Sequence, residues 1–167
     1  GLDDWETPDT QVISMEFGEG KALTWEGRSC NKYSLKGSGR GFIIYGEKGT
    51  LVTDGGNSYE FYDQDNKLIR KKESSDTADA TNVISPGGAG LDAVHLDNLL
   101  ESIRGNAKLT SDIEEGYKSV LLCHLGNISQ RVGRALHCDP ATGRIKNDQE
   151  AMKLWKRSYE KGWEVNV

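Results

Sequence analysis

The chain has 167 residues, enough for one domain with a sizeable core and too few for two full ones. Hydrophobic residues at 35% beside charged residues at 28% describe a globular chain rather than a disordered one. A net charge of -5, with Arg70, Lys71 and Lys72 followed at once by Glu73, argues against nucleic acid as a partner, and no apolar run reaches the roughly 18 residues of a membrane helix.

The first half reads as antiparallel sheet. In QVISMEF, Ile13, Met15 and Phe17 alternate with Ser14 and Glu16, the period of a half-buried strand. Glu19 and Gly20 turn the chain into ALTWEGRS, with Leu23 and Trp25 at alternate positions. Two β-rich runs follow, Phe42–Tyr45 and Thr50–Thr53, joined by a turn at Gly46–Gly49. Tyr59 and Phe61 mark another strand, Asp63–Asn66 a turn, and LIRKKE a charged strand suited to a sheet edge. At Phe42, Ile43, Ile44 and Tyr45 the apolar residues are consecutive, so both faces of the sheet carry them. Cover by loops or by a missing part of the protein explains this as well as a subunit interface does.

Residues 74–90 shift to Ser, Asp, Thr, Ala and Gly, the composition of a long surface loop. Helices follow. LDAVHLDNLLESIRG places Leu96, Leu99, Leu100 and Ile103 on one face and stops at Gly105. Ser111 to Glu114 reads as a capping box, ahead of a helix with Ile113, Tyr117, Val120, Leu121, His124, Ile128 and Val132 along one stripe. Asn147 or Asp148 caps a last helix running to about Trp155. The expected domain is α+β: an open, mostly antiparallel sheet with helices on one face, β-rich over 10–73, loop over 74–90 and helical over 91–160.

Few residues carry chemistry. GSGRGF (37–42) has close-spaced glycines but precedes a β run, whereas a dinucleotide site sets G-x-G-x-x-G between a strand and a helix. GGAG (87–90) precedes a helix with no strand leading into it. His124 has a titratable ring, but its place in an apolar stripe favours burial and a hydrogen bond over catalysis. His95 and His137 read as packing and loop residues, and the three histidines share no metal-ligand spacing. Cys30, Cys123 and Cys138 read as unpaired thiols. Asp3, Asp4, Glu6 and Asp9 read as a solvated segment. Trp25 and Trp155 are expected in the core, while Trp5 and Trp163, near the ends, remain candidates to stack on a sugar. Arg28, beside Asn31 at a strand end, is a candidate to face a polar ligand or solvent.

Four segments in order resemble the later part of the C-terminal domain of the glucose–fructose oxidoreductase/inositol dehydrogenase (Gfo/Idh/MocA) family. These are TPDTQVISMEFGEGKALTWEGR, GFIIYGEKGTLVTDGGNSYEFYD, HLDNLLESIRGNAKLTSDIEEGYKSVLLCHLGNISQRVGRAL and DPATGRIKNDQEAMKLWKRSYEKGWEV. The resemblance implies a parent with an N-terminal Rossmann domain binding NAD or NADP, and a C-terminal domain that shapes the site for a sugar, polyol or related carbohydrate and forms oligomers through its open sheet. It therefore implies Phe42, Ile43, Ile44 and Tyr45 as interface residues. The family's Gly-rich fingerprint, E-K-P lysine and acid–base pair match no residue here, so no catalytic assignment carries over and no cofactor is expected on this fragment alone. Arg28, Trp5, Trp163 and His124 remain substrate-side candidates. A same-family glycosidase that retains NAD, or a stand-alone carbohydrate-binding or assembly domain, stand as alternatives. The opening at Gly1 rather than Met is expected of a truncated chain, and the compartment, cytoplasmic or exported, stays open.

Overall fold

A computed structural model describes residues 7–34, 37–54, 58–73 and 91–164. The loop expected over 74–90 and the candidate Trp5 lie outside these residues. The chain separates into two compact units, one of residues 1–10 and 27–108, the other of residues 11–26 and 109–167. Antiparallel sheet and helices make it an α+β protein, and the sheets among the described residues form no closed barrel.

In the first unit, β3 (Phe42–Gly46), β4 (Gly49–Thr53), β5 (Tyr59–Tyr62) and β6 (Leu68–Lys72) form an antiparallel meander in that order. Gly49 makes the β3–β4 corner possible: its φ of 149° suits glycine, and a Cβ there would strike the Tyr62 carbonyl of the neighbouring strand. Asp63 builds the next corner, its Oδ1 accepting from the backbone amides of Asp65 (3.0 Å) and Lys67 (2.9 Å). The register aligns Ile44, Leu51, Phe61 and Arg70 in one row, and Ile43, Val52, Glu60 and Lys71 in the adjacent row on the opposite face. A register shift falls between Phe61 and Tyr62.

Helix α1 (Leu91–Ile103) closes at Gly105, whose φ of 81° lets the chain turn while the amide of Asn106 donates to the Glu101 carbonyl at 2.9 Å. Leu96, Leu99, Leu100 and Ile103 share a face, as the periodicity requires, but all four are exposed. Helical period fixes which residues share a face, and only tertiary neighbours can cover it.

The second unit contains most of the β1–β2 hairpin together with α2 and α3, so it joins the start of the chain to its end. β1 (Thr10–Glu16) pairs with β2 (Ala22–Arg28). Ile13 and Met15 turn inward on alternate positions of β1, but Phe17 lies beyond the strand and is exposed. Trp25, expected in the core, is 48% exposed, because its strand belongs to a two-stranded ribbon with little to cover it.

Helix α2 (Ile113–Val132) starts one residue later than the expected capping box. Asp112, not Ser111, is the cap: its Oδ1 accepts from the Glu115 amide at 3.0 Å, so the carboxylate does what a serine hydroxyl was expected to do. Gly133 ends the helix in the left-handed region at φ 70°, and the Arg134 amide reaches back to the Ser129 carbonyl at 3.3 Å. The inward stripe is the buried Ile128 with half-buried Leu121, Leu125 and Val132, and the buried Gly126 lies beside it. Ile113, Tyr117, Val120 and His124, expected on the same stripe, are exposed. Val120 and His124 precede the covered Leu121 and Leu125 by one residue, and one residue rotates a side chain by about 100° around the axis.

Past α2 the chain makes a turn bridged at Cys138 and Ile145, then a short helix α3 (Gln149–Lys153) capped by Asp148, whose Oδ1 accepts from the Ala151 amide at 3.0 Å. Helix α3 stops before Trp155, two residues short of the expected end. The buried core of the described residues lies here: Ile128 of α2 with Ile145 and Ala151, packed by Leu125, Val132, Leu136, Cys138, Met152 and Trp155.

Candidate functional site

Each candidate sits where its local chemistry places it. Arg28 ends β2 half-buried, and its Nη2 donates to the Tyr33 carbonyl at 3.5 Å. Asn31, three residues on, uses its side-chain oxygen to accept from the Tyr33 amide at 2.8 Å. In the same turn, the Ser29 amide donates to the Asp9 carbonyl at 2.7 Å and the Cys30 thiol to the Asp9 carboxylate at 3.3 Å. The group Asp9, Arg28, Cys30, Asn31 and Tyr33 is thus a polar corner in which backbone groups take up much of the donor and acceptor capacity.

His124 stands exposed on α2, and Trp163 is 78% exposed in the terminal turn, where its amide donates to the Glu160 carbonyl at 2.9 Å. Arg28 belongs to the first unit, His124 and Trp163 to the second.

The sheet carries the other candidates. Phe42 and Ile44 are exposed on one face, Tyr45 is 79% exposed on the other, and Ile43 is half-buried. The Phe42–Ile44 face stays apolar across the sheet through Leu51 and Phe61 and ends with the Arg70 guanidinium 5.6 Å from the centre of the Tyr59 ring. The opposite face turns polar. There the Tyr62 hydroxyl donates to Glu60 at 2.5 Å, and Lys71 lies 3.5 Å from Glu60 and 3.2 Å from Glu73. The hydrogen bond from Tyr62, aided by Lys71, holds the Glu60 carboxyl below its ordinary range, and the same bond raises the Tyr62 phenol. Glu73 and Glu60 raise the Lys71 ammonium. The three groups hold one another in their ordinary charge states rather than poising a proton for transfer.

Sequence reading missed a second polar cluster because its members are far apart in the chain. Arg134 bonds both oxygens of Asp148 and also Glu150 at 2.8 Å. Asp139 accepts from Lys146 and from the amides of Ala141 and Thr142; these bonds, Lys146 foremost, pull its carboxyl down to about 2. The only early signal was Asp148 as a cap. A recess between β1 and α2, lined by Gln11, Ile13, Gly126, Ser129 and Gln130, holds a buried Gln11 Nε2 with no hydrogen-bond partner.

Gly37, Gly39 and Gly41 lead into β3 and so present no helix N-terminus to a pyrophosphate, and the residues here do not fit a dinucleotide. The glycines at 87–90 lie outside the described residues. No disulfide joins the three cysteines, and no group of three His, Cys, Asp or Glu is placed for a metal among the described residues.

A family model described as "Oxidoreductase family, C-terminal alpha/beta domain" (GFO_IDH_MocA_C) matches residues 4–137. No curated protein and no solved structure matches the chain. The matched stretch takes in both sheets, α1 and α2, and it stops just before the turn and short helix that supply Ile145 and Ala151 to the core. With most of its length so matched, the chain belongs to the Gfo/Idh/MocA oxidoreductase family, as that family's C-terminal α/β domain.

Proposed function

We propose that this chain is the substrate-side part of an NAD(P)-dependent oxidoreductase acting on a sugar, polyol or related carbohydrate. The observation that carries the reading is the family match over residues 4–137, which is to the C-terminal domain of an oxidoreductase family. The redox chemistry belongs to a nicotinamide cofactor held by a Rossmann domain elsewhere in the parent protein. The residues here supply scaffold, and Arg28, His124, Trp163 and Trp5 are their substrate-side candidates. The test is the coding sequence upstream of Leu2. A strand–GxGxxG–helix unit and an E-K-P segment are expected. A start codon a few residues before Leu2 would overturn the reading in favour of a stand-alone carbohydrate-binding domain.

The same domain contributes a contact between subunits. The Phe42 and Ile44 face is the better candidate, because its row continues through Leu51 and Phe61, whereas the row from Ile43 and Val52 runs into Glu60 and Lys71. An isologous interface needs a continuous apolar surface free of unpaired charge.

A further inference from the structure

We propose that residues 137–155 are a clasp for α2, and that release of the clasp and unfolding of the second half of α2 are a single event. The geometry gives the clasp three holds. At its base, Arg134 follows directly on the helix end and bonds Asp148 through Nε at 3.0 Å and Nη2 at 2.8 Å, with Glu150 also at 2.8 Å. In its middle, Ile145 and Ala151 bury against Ile128, and Ala151 is 0% exposed. At its tip, the Tyr117 hydroxyl donates to the Thr142 carbonyl at 3.4 Å, and Gly143 lies so close to Leu121 that a Cβ would run into that side chain. The clasp therefore lies along α2 from Val132 back to Tyr117.

The helix depends on that cover. Most of a helix's stability in a folded protein comes from packing of its apolar face, and α2 carries two interior glycines, Gly116 and Gly126, that weaken it on its own. Of the three buried hydrophobic residues among those described, α2 supplies only Ile128, and the clasp supplies the other two. The clasp itself has little apolar surface of its own to bury: α3 is five residues long, and its turn is held by polar bonds around Asp139 and the Cys138–Ile145 bridge. Each part is folded because the other covers it. By closing on the Leu121, Leu125, Ile128 and Val132 stripe, the clasp also leaves Val120 and His124 on the uncovered side. The stretch matched by the family model ends at residue 137 and so lacks the cover of its own long helix.

Native-state hydrogen exchange on the whole chain tests this. In the unaltered protein, the amides of Lys146, Ala151 and Met152 are expected to show the same opening free energy as those of Leu125, Ile128 and Ser129. Unequal values, with the clasp amides exchanging well before the helix, overturn the proposal and make the clasp an appendage. Two variants repeat the test with the clasp weakened, Arg134→Gln at the base and Ala151→Gly in the core. Both sets of amides are expected to lose protection by the same factor in each variant. Loss confined to residues 137–155, or no loss in either set, overturns it.

Discussion

Arg134 and Asp148 meet as a fork on a fork, with two parallel hydrogen bonds of 3.0 and 2.8 Å between guanidinium and carboxylate. The same carboxylate caps α3 by accepting from Ala151, so one side chain both ties and starts the last helix. Only arginine has the planar pair of donors for this geometry, and a lysine ammonium would meet one oxygen at a time. Arg134 holds the Asp148 carboxyl below its ordinary range, with the Ala151 amide second.

The pH dependence follows from that direction. Asp139 titrates near 2 against an ordinary value of 3.8, and Asp148 is also lowered. Lowered carboxylates stabilise the fold at pH above the unfolded value, and that stabilisation is lost as pH falls through the folded one. Stability of the second unit is therefore expected to be flat in these two groups from pH 7 to about 4 and to fall between there and about pH 2. Urea unfolding followed by Trp155 fluorescence across that range checks it. Asp139→Asn should shrink the acid loss, and an unchanged profile would refute the assignment.

Two glycines on α2 separate packing from propensity. A Cβ at Gly126 would run into the Ile13 side chain, whereas nothing lies within 4 Å at Gly116. Gly126→Ala is expected to destabilise by about 1–3 kcal/mol through overpacking. Gly116→Ala should stabilise by about 0.5–1 kcal/mol, since only the helical cost of glycine is removed. Chemical denaturation of both variants decides the matter, and Ile13→Val beside Gly126→Ala should recover part of the loss.

The cap of α2 gives a sharper test of its starting residue. Asp112→Ala is expected to cost about 1 kcal/mol, and Ser111→Ala nearly nothing. Equal losses would place the cap at neither residue alone.

Self-association is expected to run through one sheet face. Light scattering at high protein concentration should show a dimer that Ile44→Lys abolishes and Tyr45→Lys leaves intact, since Ile44 shares its face with Phe42, Leu51 and Phe61. A monomer at every concentration would count against the subunit contact proposed for this domain. Loss of association with Tyr45→Lys alone would move the interface to the other face.

Local chemistry was the legible part. The corners at Gly49 and Asp63, the end of α1 at Gly105, the cap at Asp148 and the alternation of Ile13 and Met15 all follow from residues a few positions apart. The family resemblance was legible too, because it rests on the order of such segments, and the family match covers residues 4–137. The substrate-side candidates Arg28, His124 and Trp163 were legible only as residue types, because a ligand site depends on groups brought together from distant parts of the chain.

Covering was the part that only the tertiary structure decided. His124 and Val120 fell on the same apolar stripe as Ile128 by periodicity, yet the face of α2 that is buried was set by where Ile145 and Ala151 arrive from beyond the helix end. Trp25 and the apolar face of α1 show the converse, side chains spaced for burial that no neighbour covers. Hydrogen bonds that close turns and caps span a few residues, so the sequence alone determined the elements and placed their ends to within a residue or two. Burial depends on surfaces brought together from distant parts of the chain, so the structure alone determined which faces those elements turn inward.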